Sequence, residues 1–280
     1  MIERLRVTVL ADNCVAAPDL LAEHGLSMLI EADDWRILFD TGQGEVLRPN
    51  ADALGVSLCP LDAVVLSYGH YDHTGGLAGL LLTKSPSPQS FSTLRHCSRS
   101  TQRAKTRPIA LSAFRENSRQ ALEALQNRNV WTQSATEVVP GVWCTGEIPR
   151  LAVNGQTATG YFLDADCREP DPIVDDQTLF IETTTGLVVI AGCAHAGVVN
   201  TLDHVSALTG HKEVLALVGG LHLGRATHQE LESCANAVAS RNCRILAPCH
   251  CTGMGAAHSY LRARFHSLVR DVEVGTELVW

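Results

Sequence analysis

Four times in this sequence a short apolar run that reads as a buried strand gives way to glycine and histidine. The first instance is Ala63-Val64-Val65-Leu66, followed by Ser67-Tyr68-Gly69-His70-Tyr71-Asp72-His73-Thr74-Gly75-Gly76. The others are His195 in Ala191-Gly192-Cys193-Ala194-His195-Ala196-Gly197, His222 in Gly219-Gly220-Leu221-His222-Leu223, and His250 in Ala247-Pro248-Cys249-His250-Cys251-Thr252-Gly253. A strand holds its end rigid, and flanking glycines permit turns that aim close neighbours at one point. The pattern therefore demands a sheet-based fold that gathers imidazole and carboxylate at the mouth of a sheet. Those are donors for a divalent cation.

Other apolar stretches fill in the sheets. Leu5 to Leu10, Ser27 to Glu31, Trp35 to Phe39 and Ala63 to Leu66 predict a first sheet. Thr178 to Glu182, Gly186 to Ile190, Glu213 to Val218, Arg244 to Leu246 and Val272 to Val279 predict a second. Helix-like segments lie at about Ser118 to Gln126, Val198 to Leu208, Gln229 to Ala239 and Met254 to Val269. The alternation makes an α/β protein, and periodicity alone does not separate a two-sheet sandwich from a doubly wound sheet. At 280 residues, residues 1–280 are expected to form one domain. Two irregular segments interrupt it, a basic loop at about 84–107 and an acidic excursion at about 150–177.

Composition excludes several classes. The net charge of −8 disfavours a general nucleic-acid binder. No apolar run approaches the roughly 20 residues that cross a bilayer, and residues 1–11 read as a first strand rather than a signal peptide, so a cytoplasmic enzyme is expected. The ten cysteines are expected to be reduced thiols. No Cys-x-x-Cys pair occurs, which argues against a zinc knuckle or dithiol redox centre. Cys193, Cys249 and Cys251 stand out only because they flank His195 and His250; small apolar packing is their default role. Walker-type loops and nucleophile elbows are absent too.

The ordered set of motifs resembles the metallo-β-lactamase superfamily, whose signature is His-x-His-x-Asp-His followed by distant histidines. The blocks Leu38-Phe39-Asp40-Thr41-Gly42, Gly146-Glu147-Ile148-Pro149-Arg150, Asp175-Asp176-Gln177 and His250-Cys251-Thr252-Gly253 resemble one branch of it. That branch is named for 7,8-dihydropterin-6-methyl-4-(β-D-ribofuranosyl)-aminobenzene-5'-phosphate synthase and includes many metal-dependent hydrolases. The resemblance implies an αββα sandwich of the metallo-β-lactamase type. It also implies a first metal held by residues 68, 70 and 195, and a second held by Asp72, His73 and His250. His222 stands near the place where relatives carry a bridging aspartate, so it is read as a ligand or a substrate-orienting residue.

One departure from the pattern stands out: position 68 is Tyr68, not histidine. A phenol with a pKa of about 10 must ionise to bind metal strongly, so it replaces a neutral imidazole poorly. The expected ligands are thus His70, Asp72, His73, His195, His222 and His250, with Asp72 and His222 also as candidate catalytic groups. Asp40 is expected to anchor the site by accepting hydrogen bonds. His24, His204, His211, His228, His258 and His266 are read as structural.

A divalent cation in such a site lowers the pKa of water from about 15.7 to about 7 and polarises a substrate oxygen. Zinc suits the nitrogen-rich set, one or two ions, with manganese or iron tolerated. The segment from Lys84 to Arg107 holds Lys84, Arg95, Arg99, Arg103, Lys105 and Arg107 with no acidic residue. It reads either as a solvated loop or as a lid that grips an anionic, phosphate-bearing small molecule. Tyr68, Arg95, Arg99, Arg103 and Asp176 are the candidate substrate contacts. The expected activity is hydrolysis; a transferase condensing a pterin diphosphate with an aminobenzene ribofuranosyl phosphate, and a non-catalytic ligand-binding relative, are the alternatives.

Overall fold

Alternation along Leu5–Ala11 sorts its side chains onto two faces, because successive residues of a strand point to opposite sides. Val7 and Val9 enter one core, and Leu10 enters another. The computed structural model from which this follows describes residues 1–81, 89–92, 101–103, 108–109, 116–125, 128–152, 161–164 and 166–280.

The first sheet runs in the order Glu277–Val279, Leu5–Ala11, Ser27–Ala32, Trp35–Phe39, Ala63–Val65, Gln89–Ser92, Asn129–Trp131. The second runs Ile245–Cys249, Ala216–Gly220, Gly186–Ala191, Thr178–Thr183, Val142–Cys144, Thr136–Val139. Their inner faces share one core, in which Val7, Met28, Ile30, Ile37, Phe39 and Val65 meet Leu179, Ile181, Val188, Ile190 and Val218. That shared core makes the fold a sandwich and rules out a doubly wound single sheet.

Each outer face carries helices. Leu29, Leu38 and Val64 are covered by Leu47, Leu77, Leu80 and Leu122, from helices Leu47–Ala53, Leu77–Leu81 and Glu116–Ala124. Val189, Leu217 and Leu246 are covered by Leu202, Leu231 and Leu261, from Val198–Thr209, His228–Ser240 and Ala256–Phe265. The layers are therefore αββα. A short third sheet orders Tyr161–Phe162, Thr101–Arg103 and Pro108–Ile109. Among the described residues no helix is long and apolar enough to cross a membrane.

Both sheets are mixed, and the parallel portions matter for the site. Trp35–Phe39 pairs parallel with Ala63–Val65, and Gly186–Ala191, Ala216–Gly220 and Ile245–Cys249 are parallel in turn. Parallel neighbours need a crossover, and the intervening helices supply it, so these strands all finish on one edge. Asp40, Ser67, Cys193, His222 and His250 follow those finishing ends.

Three segments depart from the elements their sequence predicts. Residues 272–279 do not extend the second sheet: only Glu277–Val279 is a strand, and it pairs antiparallel with Leu5–Ala11 in the first. The strand expected at Glu213 begins at Ala216. The hairpin Thr136–Val139 and Val142–Cys144 was not anticipated, although Pro140-Gly141 between them is a turn signature.

Candidate metal centre

His73 is held on both sides of its ring within the strand-edge cluster. Its Nδ1 lies 2.6 Å from Oδ2 of Asp40. Asp40 also accepts the Ser67 backbone N–H and the Ser67 hydroxyl, each at 2.7 Å. All three residues are fully buried. A carboxylate accepts from Nδ1–H, so the lone pair of His73 is left on Nε2. Gly192 allows this packing, because a Cβ there would fall 2.1 Å from the Ser67 hydroxyl.

His250 is held in the same sense by different groups. Asn13 Oδ1 accepts the Gly25 N–H at 3.2 Å, which fixes the amide orientation, and it lies 2.9 Å from His250 Nδ1. Nδ1 of His250 therefore donates, and once the ring is neutral its Nε2 carries the lone pair. The two Nε2 atoms face each other at 3.1 Å. Oδ2 of Asp72 is 3.5 Å from Nε2 of His250 and 3.8 Å from Nε2 of His73. Two imidazole lone pairs that close repel unless a proton or a cation lies between them.

Titration behaviour agrees with a cation-seeking cluster. Burial raises the Asp72 pKa, but the facing His73, His250 and His70 outweigh it, so the carboxyl ionises well below the usual carboxylate range. Burial lowers His250, yet Asp72, Cys251 and Asp12 more than offset it and carry the imidazole up to about 9. Burial brings His70 down to about 4 and, with His222 and His70 nearby, brings His195 well below its ordinary value. Neutral imidazoles are the form that ligates.

Two groups bring donor atoms within 4.8 Å of one another among the described residues: His73, Cys193 and His250, and Cys193, His195 and His222. His70 lies outside both, with its ring 5.4 Å from that of His195. Tyr68 is enclosed by imidazoles, 4.6 Å from the His70 ring, 4.4 Å from His73 and 4.6 Å from His195. Its hydroxyl donates to Cys193 Sγ at 3.2 Å. Nδ1 of His222 and Oδ1 of Asp176 are buried and meet no hydrogen-bond partner among the described residues. Fixed tautomers, an ionised carboxylate and an orphaned imidazole nitrogen together fit a divalent cation.

Left-handed backbone marks the same edge. Asp40, Ala194, His222 and His250 have φ of 59°, 51°, 51° and 51°. Non-glycine residues adopt such angles at a cost of roughly 1 to 3 kcal/mol each, and such strain gathers at functional sites.

Several residues are placed differently from their sequence reading. His24 is not merely structural: its Nε2 is 3.3 Å from Oδ2 of Asp72, and its Nδ1 is 3.2 Å from Asn13 Nδ2. Asp12, which accepts the His250 backbone N–H at 2.8 Å, and Asn13 were missed altogether. Their position after the first strand was the available signal, the same one that drew attention to Asp40. His211, His228 and His258 pair with Glu182, Glu232 and Asp271, outside the cluster. Asp175 is not part of a solvated acidic loop, for it accepts the Gly69 N–H, as Asp176 accepts that of Ala196, each at 2.8 Å. Burial pushes their carboxyls up to about 7 and about 6. Arg150 completes this corner by donating to the carbonyls of His195 and Ile173. Tyr68 and Asp176 are each 1% exposed, which suits holding the cluster better than touching a substrate. Arg95, Arg99 and the side chain of Arg103 lie outside the described residues.

A two-sheet sandwich under outer helices, with histidine, aspartate and cysteine gathered where its parallel strands finish, defines a protein of the metallo-β-lactamase fold. The family described as the metallo-β-lactamase superfamily matches residues 21–90. It is 29% identical over 251 residues to 7,8-dihydropterin-6-methyl-4-(β-D-ribofuranosyl)-aminobenzene-5'-phosphate synthase of Methanocaldococcus jannaschii, covering 86% of this chain and 84% of the relative. The crystal structure of a metal-dependent hydrolase of the β-lactamase superfamily superposes with a TM-score of 0.81 at 27% identity, over 98% of both chains. A diphosphatase of the PhnP family shares the fold, at 14% identity and a TM-score of 0.55, over 100% of this chain and 98% of the other.

The Asp40 contact yields a direct expectation. Asp40→Asn keeps the volume but weakens the bond that fixes the His73 tautomer, so affinity for a divalent cation should fall roughly 10- to 100-fold. Competition against a chromogenic chelator measures it. Unchanged affinity would detach Asp40 from the cluster's function.

Proposed function

We propose that this chain is a metal-dependent hydrolase acting on a phosphorylated or otherwise anionic small molecule. Asp72, His73 and His250 are the proposed ligands of the tighter cation, and His70, His195 and His222 serve a second position. Zinc is favoured by the donor set, with manganese and iron tolerated. The observation that carries this reading is the pair of imidazole Nε2 atoms 3.1 Å apart, beside the ionised Asp72. A cation bound there supplies Lewis acidity toward water and toward a substrate oxygen. The protein does the positioning: Asp40 and Ser67 hold His73, Asn13 and Asp12 hold His250, and half-exposed His24 contacts Asp72 from the rim. His222 is the proposed substrate-orienting imidazole. The substrate is a small anion rather than nucleic acid or a membrane surface.

A transferase is the second reading, supported by the synthase relative at 29% identity. On that reading an aminobenzene carbon or nitrogen attacks a pterin diphosphate and diphosphate departs. Two assays on metal-analysed protein separate the readings: a panel of phosphomonoesters, phosphodiesters, lactones and thioesters, and the paired pterin and aminobenzene substrates. Turnover of a single substrate supports hydrolysis. Diphosphate release that needs both partners supports the transferase. A loaded protein inert in both assays returns the chain to the non-catalytic, ligand-binding alternative.

Protons compete for the same nitrogens. With the His250 pKa raised to about 9, this imidazole is protonated below that pH, and cation binding must expel the proton. Apparent affinity should therefore fall about tenfold per unit as pH drops below about 9. Zinc titrations across that range with a pH-independent constant would count against histidine ligation.

The basic segment offers a separate test of substrate charge. Replacing Arg95, Arg99 and Arg103 together with glutamine should weaken binding of an anionic substrate and leave metal content unchanged. Equal affinity of variant and parent would return Lys84 to Arg107 to plain solvated surface.

A further inference from the structure

Cys193 belongs to both candidate ligand groups, with His73 and His250 on one side and His195 and His222 on the other. It is 2% exposed, and its sulfur lies 3.4 Å from Nε2 of His73 while receiving the Tyr68 hydroxyl at 3.2 Å. The neighbouring cysteines are placed otherwise. Cys249 faces the core between the sheets. Cys251, outside both groups, has its sulfur 3.2 Å from the His222 N–H and 3.7 Å from the Cys193 carbonyl, and it also meets the side chains of Cys193 and His222. A buried cysteine among apolar groups is inert packing, whereas four imidazoles and a phenol make a setting in which sulfur can ligate.

Resting on the reading that this site binds a divalent cation, we propose that Cys193 is a ligand common to both metal positions, and that Tyr68 holds its sulfur through an O–H···S hydrogen bond instead of ligating. The donor chemistry supports each half. Thiolate is softer than imidazole or carboxylate and suits zinc. It binds as the anion, so the S–H proton passes to solvent as the metal–sulfur bond forms. A phenol that keeps its proton near neutral pH can donate to that sulfur, which fixes its direction and draws charge from it. Tyr68 is then a positioning residue, at the place where the superfamily pattern has a histidine.

Cobalt(II) loaded into the full-length protein tests this, because cobalt content and visible d–d bands report binding while a near-ultraviolet sulfur-to-cobalt band reports the thiolate. The loaded parent should show that band, and Cys251→Ser should keep it. Cys193→Ser and Cys193→Asp should both lose it. Cys193→Asp should hold its cobalt content, since one anionic donor replaces another, which separates lost ligation from lost folding. Tyr68→Phe should retain cobalt and shift the energy of the band. Cobalt bound without the band, or a band that survives in Cys193→Asp, overturns the Cys193 assignment and leaves the cation site standing. No cobalt retained by the parent on dialysis overturns both. An unmoved band in Tyr68→Phe removes the part given to the tyrosine.

Discussion

His73→Ala protein should lose its divalent cation on purification without added metal, with an affinity loss beyond about 100-fold. The magnitude follows from a comparison: removing only an outer hydrogen-bond partner of a ligand costs roughly 10- to 100-fold, so removing the ligand itself costs more. His73 is fully buried, and its Nε2 is close to His250, Asp72 and Cys193 at once. The same substitution strips Asp40 of its imidazole partner and leaves the carboxylate with Ser67 alone. A buried charge deprived of a partner costs on the order of 3 kcal/mol, so melting temperature should fall as well. His258→Ala controls for the loss of an imidazole in general, because His258 pairs with Asp271 outside the cluster. Elemental analysis of both variants decides the matter. A His73→Ala protein that holds the parent's metal content sinks the assignment of the tighter position.

What the sequence disclosed was what local pattern encodes. Histidine after an apolar run marked strand ends correctly for His70, His195, His222 and His250, because a strand's period and the glycines that follow it are both local properties. The parallel pairing that brings those ends together is not local, and it came only through the superfamily resemblance. Glu277–Val279 shows the limit most plainly. It joins Leu5–Ala11 across nearly the whole chain, and its three residues carry no pattern that chooses one sheet over another. His24 and Asn13 escaped for a related reason: both lie outside strands, and only the return of the chain to Asp72 and His250 gives them a role. Cys193 was seen as a neighbour of His195, yet its sulfur proves to adjoin His73, 120 positions away. Asp175 reads as solvated because acidic segments usually are, and Asp176 reads as a substrate contact; backbone N–H groups supplied by the histidine loops hold both carboxylates instead.

Tyr68→His should raise the number of tightly held ions from near one to near two. In the parent the proposed tighter position draws on Asp72, His73 and His250, while the phenol ring stands 4.6 Å from each of the His70 and His195 rings and adds no neutral donor to the proposed second position. His70 remains outside the Cys193, His195 and His222 group. An imidazole at position 68 adds a donor next to both rings. Stability measurements make the outcome legible apart from any activity. Trading a buried phenol for the smaller imidazole forfeits packing and the bond to Cys193, together about 1 to 3 kcal/mol. A second ion present at about 100 times its dissociation constant returns about 2.7 kcal/mol. The variant should therefore melt below the parent in chelator and recover to the parent's level or above in saturating zinc. Should the parent already bind two ions of matched affinity, with the variant melting lower under both conditions, Tyr68 is not what makes the two positions unequal.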